Sequence, residues 1–149
     1  MSKSQKKVQA DTRIQLPAQE SPGPERSAYE QRFFPSKKEC LDCFGKDSAL
    51  YGRSLAHFQD FMRDWRSGMS EQDLNRMRWN FKALQGAEVK KYNIKQIKIM
   101  RNYRVTLIVR DHTTPPCICF LEVFPRGDTN ERDFARTVTR ARRLLEEEQ

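Results

Sequence analysis

The chain has 149 residues, with 28 Lys+Arg against 20 Asp+Glu and a net charge of +8. One ordinary domain with a tail fits that length; a second full domain does not. No apolar run reaches the ~18 residues of a membrane-spanning helix, and the polar first 25 residues lack the apolar stretch of a secretory signal. The expected setting is therefore cytoplasmic, with the 4 Cys as thiols rather than a disulfide framework.

Residues 1–36 hold Pro17, Pro22, Pro24 and Pro35 and many Ser, Gln, Lys and Glu. Such a composition cannot bury enough apolar surface to offset the entropy of ordering, so it predicts a mostly disordered basic N-terminal tail. The aromatic cluster Tyr29, Phe33, Phe34 is the exception, suited to docking on the domain or a partner. Residues 37–149 read as a single α+β domain. Leu55, Phe58, Met62 and Trp65 recur at helical spacing, and Gly68 stands where that helix would stop. Ser70 can cap a second helix with the stripe Leu74, Met77, Phe81 and Leu84, ended by Gly86. Two helices so closely joined predict an N-terminal helical hairpin. Trp79 lies off the second stripe and reads as edge packing; His57 reads as a surface or edge residue of the first helix.

The apolar period then changes from 3.6 to 2. Ile94–Ile99, Tyr103–Arg110 and Cys117–Phe124 read as strands of an antiparallel sheet of three to four strands. The third is apolar on both faces, as a covered central strand would be. A C-terminal helix from about Asn130 to Glu147 carries a buried stripe (Phe134, Val138, Ala141, Leu145) and a basic one (Arg132, Arg136, Arg140, Arg143).

The charge is localised. Residues 90–110 hold 7 basic residues and no acid, whereas residues 40–89 balance at 7 of each. A run of this kind points to an anionic partner, with nucleic acid the leading candidate. Strand register turns the run into a site. A two-residue loop would set Lys98 opposite Val105 and mix polar with apolar faces. The three-residue loop Met100-Arg101-Asn102 pairs Ile99 with Tyr103, Ile97 with Val105, Gln96 with Thr106 and Lys98 with Arg104. Opposed like charges are mildly destabilising, which makes sense where a phosphate bridges them; a solvated face that keeps the sheet soluble accounts for the pattern equally well. Lys95, Arg101 and Arg110 are the run's further candidates for phosphate contact. Arg126 shares the parity of Ile118, Phe120, Glu122 and Phe124, so the end of the third strand is expected to bring it near Arg104. Glu122, of the same parity, is expected to face Arg104 as an ion-pair partner or general base. Cys40-x-x-Cys43 and Cys117-x-Cys119 have the residue types of a zinc site, but the apolar neighbours Ile118 and Phe120 favour core cysteines, and no metal is expected.

A helical pair, then Lys98-Ile99 and Tyr103-Arg104-Val105 on paired strands, then Leu121-Glu122-Val123-Phe124-Pro125-Arg126 and a terminal helix: in this order the chain resembles the RelE/ParE superfamily of bacterial toxins, over about Leu50 to Leu145. The RelE-like branch implies a small α+β endoribonuclease that cuts mRNA on the ribosome without metal or cofactor, and a cognate antitoxin protein as partner. By position, the resemblance implies that Lys98 belongs to the catalytic face, that Arg104 holds the scissile phosphate, and that Arg126 lies near the leaving oxygen. The chain departs from the family in having Gln96 where a second lysine is common, and no Tyr or His just after Arg126; Tyr103 and His112 are the candidate substitutes. Family members begin near a first strand, for which Lys38–Phe44 is the candidate here. The ParE-like branch shares the fold, lacks the ribonuclease site and acts on DNA gyrase. A non-catalytic ParE-like inhibitor, or a basic nucleic-acid-binding module, is therefore the alternative.

Overall fold

The structure, a computed structural model, describes residues 23–127 and 131–147. Most of the expected tail (residues 1–22) and the expected helix start at Asn130 lie outside the described residues. The remainder of that tail is folded, which moves the start of the domain upstream of residue 37. A 3-10 turn at Arg26–Ala28 leads into strand β1 (Glu30–Phe33). Helix α1 (Lys37–Cys43) follows, over the segment that is the candidate for the first strand of the resemblance; β1 holds that place instead. Its start is fixed by Ser36, whose hydroxyl accepts from the Glu39 amide at 3.0 Å.

Helix α2 (Ser48–Arg66) is capped by Asp47, whose carboxylate accepts from the Ala49 and Leu50 amides. Phe58, Phe61, Met62 and Trp65 are its buried residues of the apolar type, whereas Leu55, expected in the stripe, is exposed. Ser70 caps α3 (Glu71–Arg76) as its position predicts, accepting from the Asp73 amide at 3.0 Å. That helix ends at Arg76, so the long second arm of the hairpin is not formed. The cause is Trp79. A helix continued through Phe81 and Leu84 would turn Trp79 away from the core, and an indole is the largest apolar payload available. Breaking the helix lets Trp79 and Phe81 both bury, at the expense of Met77, which is exposed. The chain instead forms the two-residue strand β2 (Lys82–Ala83) and the short helix α4 (Ala87–Lys91).

Strands β3 (Lys95–Ile99), β4 (Tyr103–Arg110) and β5 (Cys117–Pro125) and helix α5 (Glu131–Glu146) complete an α+β fold. The five strands lie in the order β1-β5-β4-β3-β2; β1 runs parallel to β5 and every other neighbour is antiparallel. The sheet is thus mixed, where a purely antiparallel one was expected. One apolar cluster joins α2, Trp79 and Phe81 to Ile97, Val105, Leu107, Phe120 and Val123. The other joins Val138, Ala141 and Leu144 of α5 to Ile108, Cys119 and Leu121 on the opposite side of the sheet. Leu144 rather than Leu145 supplies the last buried leucine.

A bulge breaks the simple alternation of β5. Thr106 pairs with Glu122 and Leu107 with Phe120, which leaves Leu121 as the extra residue. Ile118 and Phe120 therefore share a face with Val123 rather than with Glu122 and Phe124. The expected parity from Ile118 through Arg126 holds only on one side of the bulge.

Candidate nucleic-acid interface

The β3–β4 turn has the register that the apolar pattern predicts: Ile99 opposite Tyr103, Lys98 opposite Arg104, Ile97 opposite Val105 and Gln96 opposite Thr106. Two cations thus stand side by side across the ladder, and on its other side Lys98 meets the segment after α3, its amide donating to the Trp79 carbonyl at 2.8 Å. The turn is held in an uncommon conformation, with Met100 and Arg101 at φ of +49° and +64°. Arg104 folds back over it, its Nη1 donating to the Tyr103 and Arg101 carbonyls at 3.1 and 3.4 Å. The Arg126 amide donates to the Asn102 carbonyl at 2.7 Å, which ties the end of β5 to the same turn. Burial, and then the Arg126 charge, hold the Arg104 guanidinium below its ordinary pKa.

Lys98, Arg101, Arg104 and Arg126 form no ion pair with a described carboxylate. Most neighbouring cations do. Arg78 and Arg63 share Asp60, Lys95 reaches Glu71, and Arg136 and Arg140 share Glu39. The seven cations of residues 90–110 are therefore not one patch. Lys95 lies on the α2 side, with its ammonium over the Phe81 ring at 6.0 Å and 3.5 Å from Glu71. Arg110 is buried at the far end of β4, opposite Cys117. Lys90 and Lys91 sit on α4. Lys98, Arg101 and Arg104 gather at the turn, and Arg126 joins them from β5.

The expected general base is elsewhere. Glu122 is sealed under α5, where it accepts from the Thr137 hydroxyl at 2.6 Å, and Thr137 also bonds Thr106 at 2.9 Å. Burial raises its pKa; the Thr137 bond and the charges of Arg136 and Arg140 only partly oppose that. Its oxygens are committed to α5, not to Arg104. Tyr103 packs edge-on against Phe44 at 4.8 Å, on the face opposite Arg104. His112 is in the loop after β4, at the other end of that strand from Arg104.

A hollow of about 320 Å³ adjoins the turn, lined by His57, Arg78, Trp79, Lys98, Met100 and Arg101. Sequence reasoning read His57 as a surface or edge residue and passed over Arg78. His57 precedes the core residue Phe58 on α2 and so flanks the buried stripe, and Arg78 directly precedes the anchoring Trp79; both adjacencies are visible in the chain. A larger cleft of about 510 Å³ lies between α4 and α5, lined largely by Val89, Phe134, Ala135 and Val138, and is apolar in character.

The cysteines form two separate pairs. Cys40 belongs to the α2-side core, whereas Cys117 and Cys119 lie in the α5-side core with sulfurs 3.4 Å apart. Burial pushes the Cys40 thiol up to about 11 and the Cys119 thiol to about 12. No cluster of three or more His, Cys, Asp or Glu suited to a metal occurs among the described residues. Compared with known protein families, curated proteins and solved structures, the chain matches none.

Proposed function

We propose that the chain is a RelE-like toxin, a metal-independent endoribonuclease that acts on mRNA at the ribosome and is neutralised by an antitoxin. The observation that carries this reading is the convergence of Lys98, Arg104 and Arg126 on one turn without a described carboxylate partner. Cations packed together in that way are mutually repulsive, by a few tenths to about 1 kcal/mol for a directly opposed pair. A phosphate placed among them turns the repulsion into attraction. The element order supports the same reading: a strand precedes the first three helices, four antiparallel strands interrupted by the short α4 follow, and α5 comes after them.

The chemistry is attack of an RNA 2′-hydroxyl on its adjacent phosphate. The 2′-oxygen–phosphorus bond forms, the bond from phosphorus to the 5′-oxygen breaks, and the products are a 2′,3′-cyclic phosphate and a 5′-hydroxyl. The 2′-hydroxyl gives up a proton and the leaving oxygen gains one. Arg104 and Arg126 would stabilise the charge that builds on the phosphorane oxygens. Lys98, across the ladder from Arg104, would donate the proton that the leaving oxygen gains, while the 2′-hydroxyl proton passes to solvent water.

Growth arrest on expression, with mapping of mRNA 5′ ends, tests the reading. Arrest with new, codon-phased ends is expected. Arg104→Ala should lower cleavage by about 10²–10³-fold, the usual effect of losing one oxyanion donor, with thermal unfolding unchanged. Intact mRNA during arrest would overturn the nuclease and favour the ParE-like or binding-module reading. That second reading draws its support from the candidate acid–base groups: Glu122 is engaged by Thr137, Tyr103 packs against Phe44, and His112 lies beyond the far end of β4.

A further inference from the structure

The hollow beside the turn is built from three separate pieces of chain. His57 comes from α2. Arg78 comes from the segment after α3, which is anchored twice: the Trp79 indole N–H donates to Asp64 at 2.8 Å, and the Trp79 carbonyl accepts from the Lys98 amide at 2.8 Å. Lys98 and Arg101 come from β3 and the turn that follows it. Asp60, the nearby carboxylate, is engaged by Arg63 and Arg78 at 3.0 and 2.9 Å. The Arg78 guanidinium also stacks on the Trp79 ring, 4.2 Å from its centroid. Its fork carries five N–H donors, so one contact to Asp60 leaves several to spare.

His57 gives the second, independent sign. Its Nδ1 is buried and has no hydrogen-bond partner. On a neutral ring, a nitrogen with nothing to donate to is better left with its lone pair, which puts the proton on Nε2. Neutrality is reinforced by burial and then by the Arg78 charge, which together lower the His57 pKa. The hollow is therefore bordered by Arg78, Lys98 and Arg101 and by a neutral imidazole that carries its proton on Nε2. At about 320 Å³ it is at the small end of ligand sites.

Resting on the RNA reading above, we propose that His57, Arg78, Lys98 and Arg101 form a second phosphate subsite, which holds the phosphodiester neighbouring the one at Arg104 and Arg126 on a single RNA strand. The turn joins the two places. Arg104 bonds the Arg101 carbonyl and Arg126 bonds the Asn102 carbonyl, so one strand crossing the Met100–Asn102 tip would meet both. Lys98 and Arg101 line the hollow, while Lys98 pairs with Arg104 across the ladder and the Arg101 carbonyl accepts from Arg104. A strand gripped at two successive phosphates has its intervening sugar fixed, which is the geometric demand of an in-line attack by the 2′-hydroxyl.

The test is binding of a 2′-O-methyl oligoribonucleotide, which cannot be cleaved, to the full chain across a series of salt concentrations. For single strands each phosphate contact contributes about 0.7 to the slope of log K against log salt. Arg78→Gln and Arg104→Gln should each weaken binding several-fold and flatten that slope by about 0.7, and the double variant by about 1.4. If Arg104→Gln flattens the slope and Arg78→Gln leaves it unchanged, the second subsite is overturned and the RNA reading stands. If neither flattens it, both fall. Because Arg78→Gln also removes a contact to Asp60, a second measurement uses the unaltered chain. Ring-nitrogen NMR signals of His57 should shift on adding the oligonucleotide, and its pKa should rise as an anion replaces the neighbouring excess of cations. Signals that stay put at saturating oligonucleotide would overturn the subsite.

Discussion

Arg101 occupies a left-handed backbone conformation, at φ of +64°, and Met100 before it does the same at +49°. Each costs an L-residue roughly 1–2 kcal/mol, and glycine would escape that cost at about 0.5–1 kcal/mol of extra chain entropy. The strain persists because the pairing of Ile99 with Tyr103 fixes the loop at three residues. A side chain retained at such a position, exposed and cationic, fits a role in contact rather than in folding. Arg101→Gly should therefore stabilise the chain by about 0.5–1 kcal/mol, read as a higher urea midpoint, and should weaken binding of RNA. A more stable variant with unchanged RNA affinity would return Arg101 to a plain turn residue.

The elements show which parts of the fold local pattern can carry. Register at the β3–β4 turn was legible because alternation on both strands admits only one loop length that keeps the faces apart. The Ser70 cap was legible because it needs only one hydroxyl and one amide three residues on. The end of α3 was not, since it follows from burying Trp79 against α2, a contact between distant segments. Nor was the bulge at Leu121, which turns Ile118 and Phe120 to the face opposite Glu122: in sequence a strand with one extra residue looks like a strand. Of the candidate site, Lys98, Arg104 and Arg126 were legible through register, while Lys95 and Arg110 followed from charge alone and lie apart from the turn. On the face where Thr106 and Glu122 pair, a buried polar layer lies beneath α5, running from Thr106 through Thr137 to Glu122, with Arg140 donating to Glu39 and to the Leu121 carbonyl, both at 2.6 Å. Thr137→Val would leave two buried partners unsatisfied, at a cost of about 1–3 kcal/mol. The two carboxyls respond oppositely to pH. Glu122 has a raised pKa, so its contribution is fully present below the ordinary carboxyl range and is lost as pH rises through the folded value. Burial also pushes Glu39 up, but the bonds and charges of Arg140 and Arg136 outweigh it and hold the pKa low. Its contribution is present at neutrality and is lost as pH falls through the folded value. Urea unfolding near neutrality and in acid should show Glu122→Gln stabilising the chain at the higher pH alone, and Glu39→Gln destabilising it there alone.

At the scale of the molecule, the segment from Arg26 to Phe33 is a structural part of the domain. Its strand β1 pairs with β5 along Glu30 to Phe33, so β5 has a neighbour on each side. Tyr29 is buried against Trp65 with ring centroids 5.4 Å apart, and its hydroxyl donates to Asp111. Burial, and then that bond, push the phenol up to about 12. The Arg26 guanidinium lies 3.6 Å from the Trp65 ring centroid and donates to the Trp65 and Met69 carbonyls at 3.0 and 2.8 Å. Phe33 packs edge-on against Phe58 at 4.7 Å. These contacts are aromatic and continuous with the core, whereas the composition around them is that of a tail; a few well-placed rings outweigh an average. Loss of a single buried Phe costs about 3–5 kcal/mol, against a total stability of about 5–15 kcal/mol for an ordinary domain. A chain shortened to begin at Lys37 loses Tyr29, Phe33 and the strand that covers β5 together, and is expected to lose cooperative unfolding. Near-ultraviolet circular dichroism reads this directly, because Trp65 and Phe58 would lose their fixed surroundings. If the shortened chain unfolds cooperatively with its aromatic signal intact, the strap is peripheral, and the domain begins where composition alone would start it.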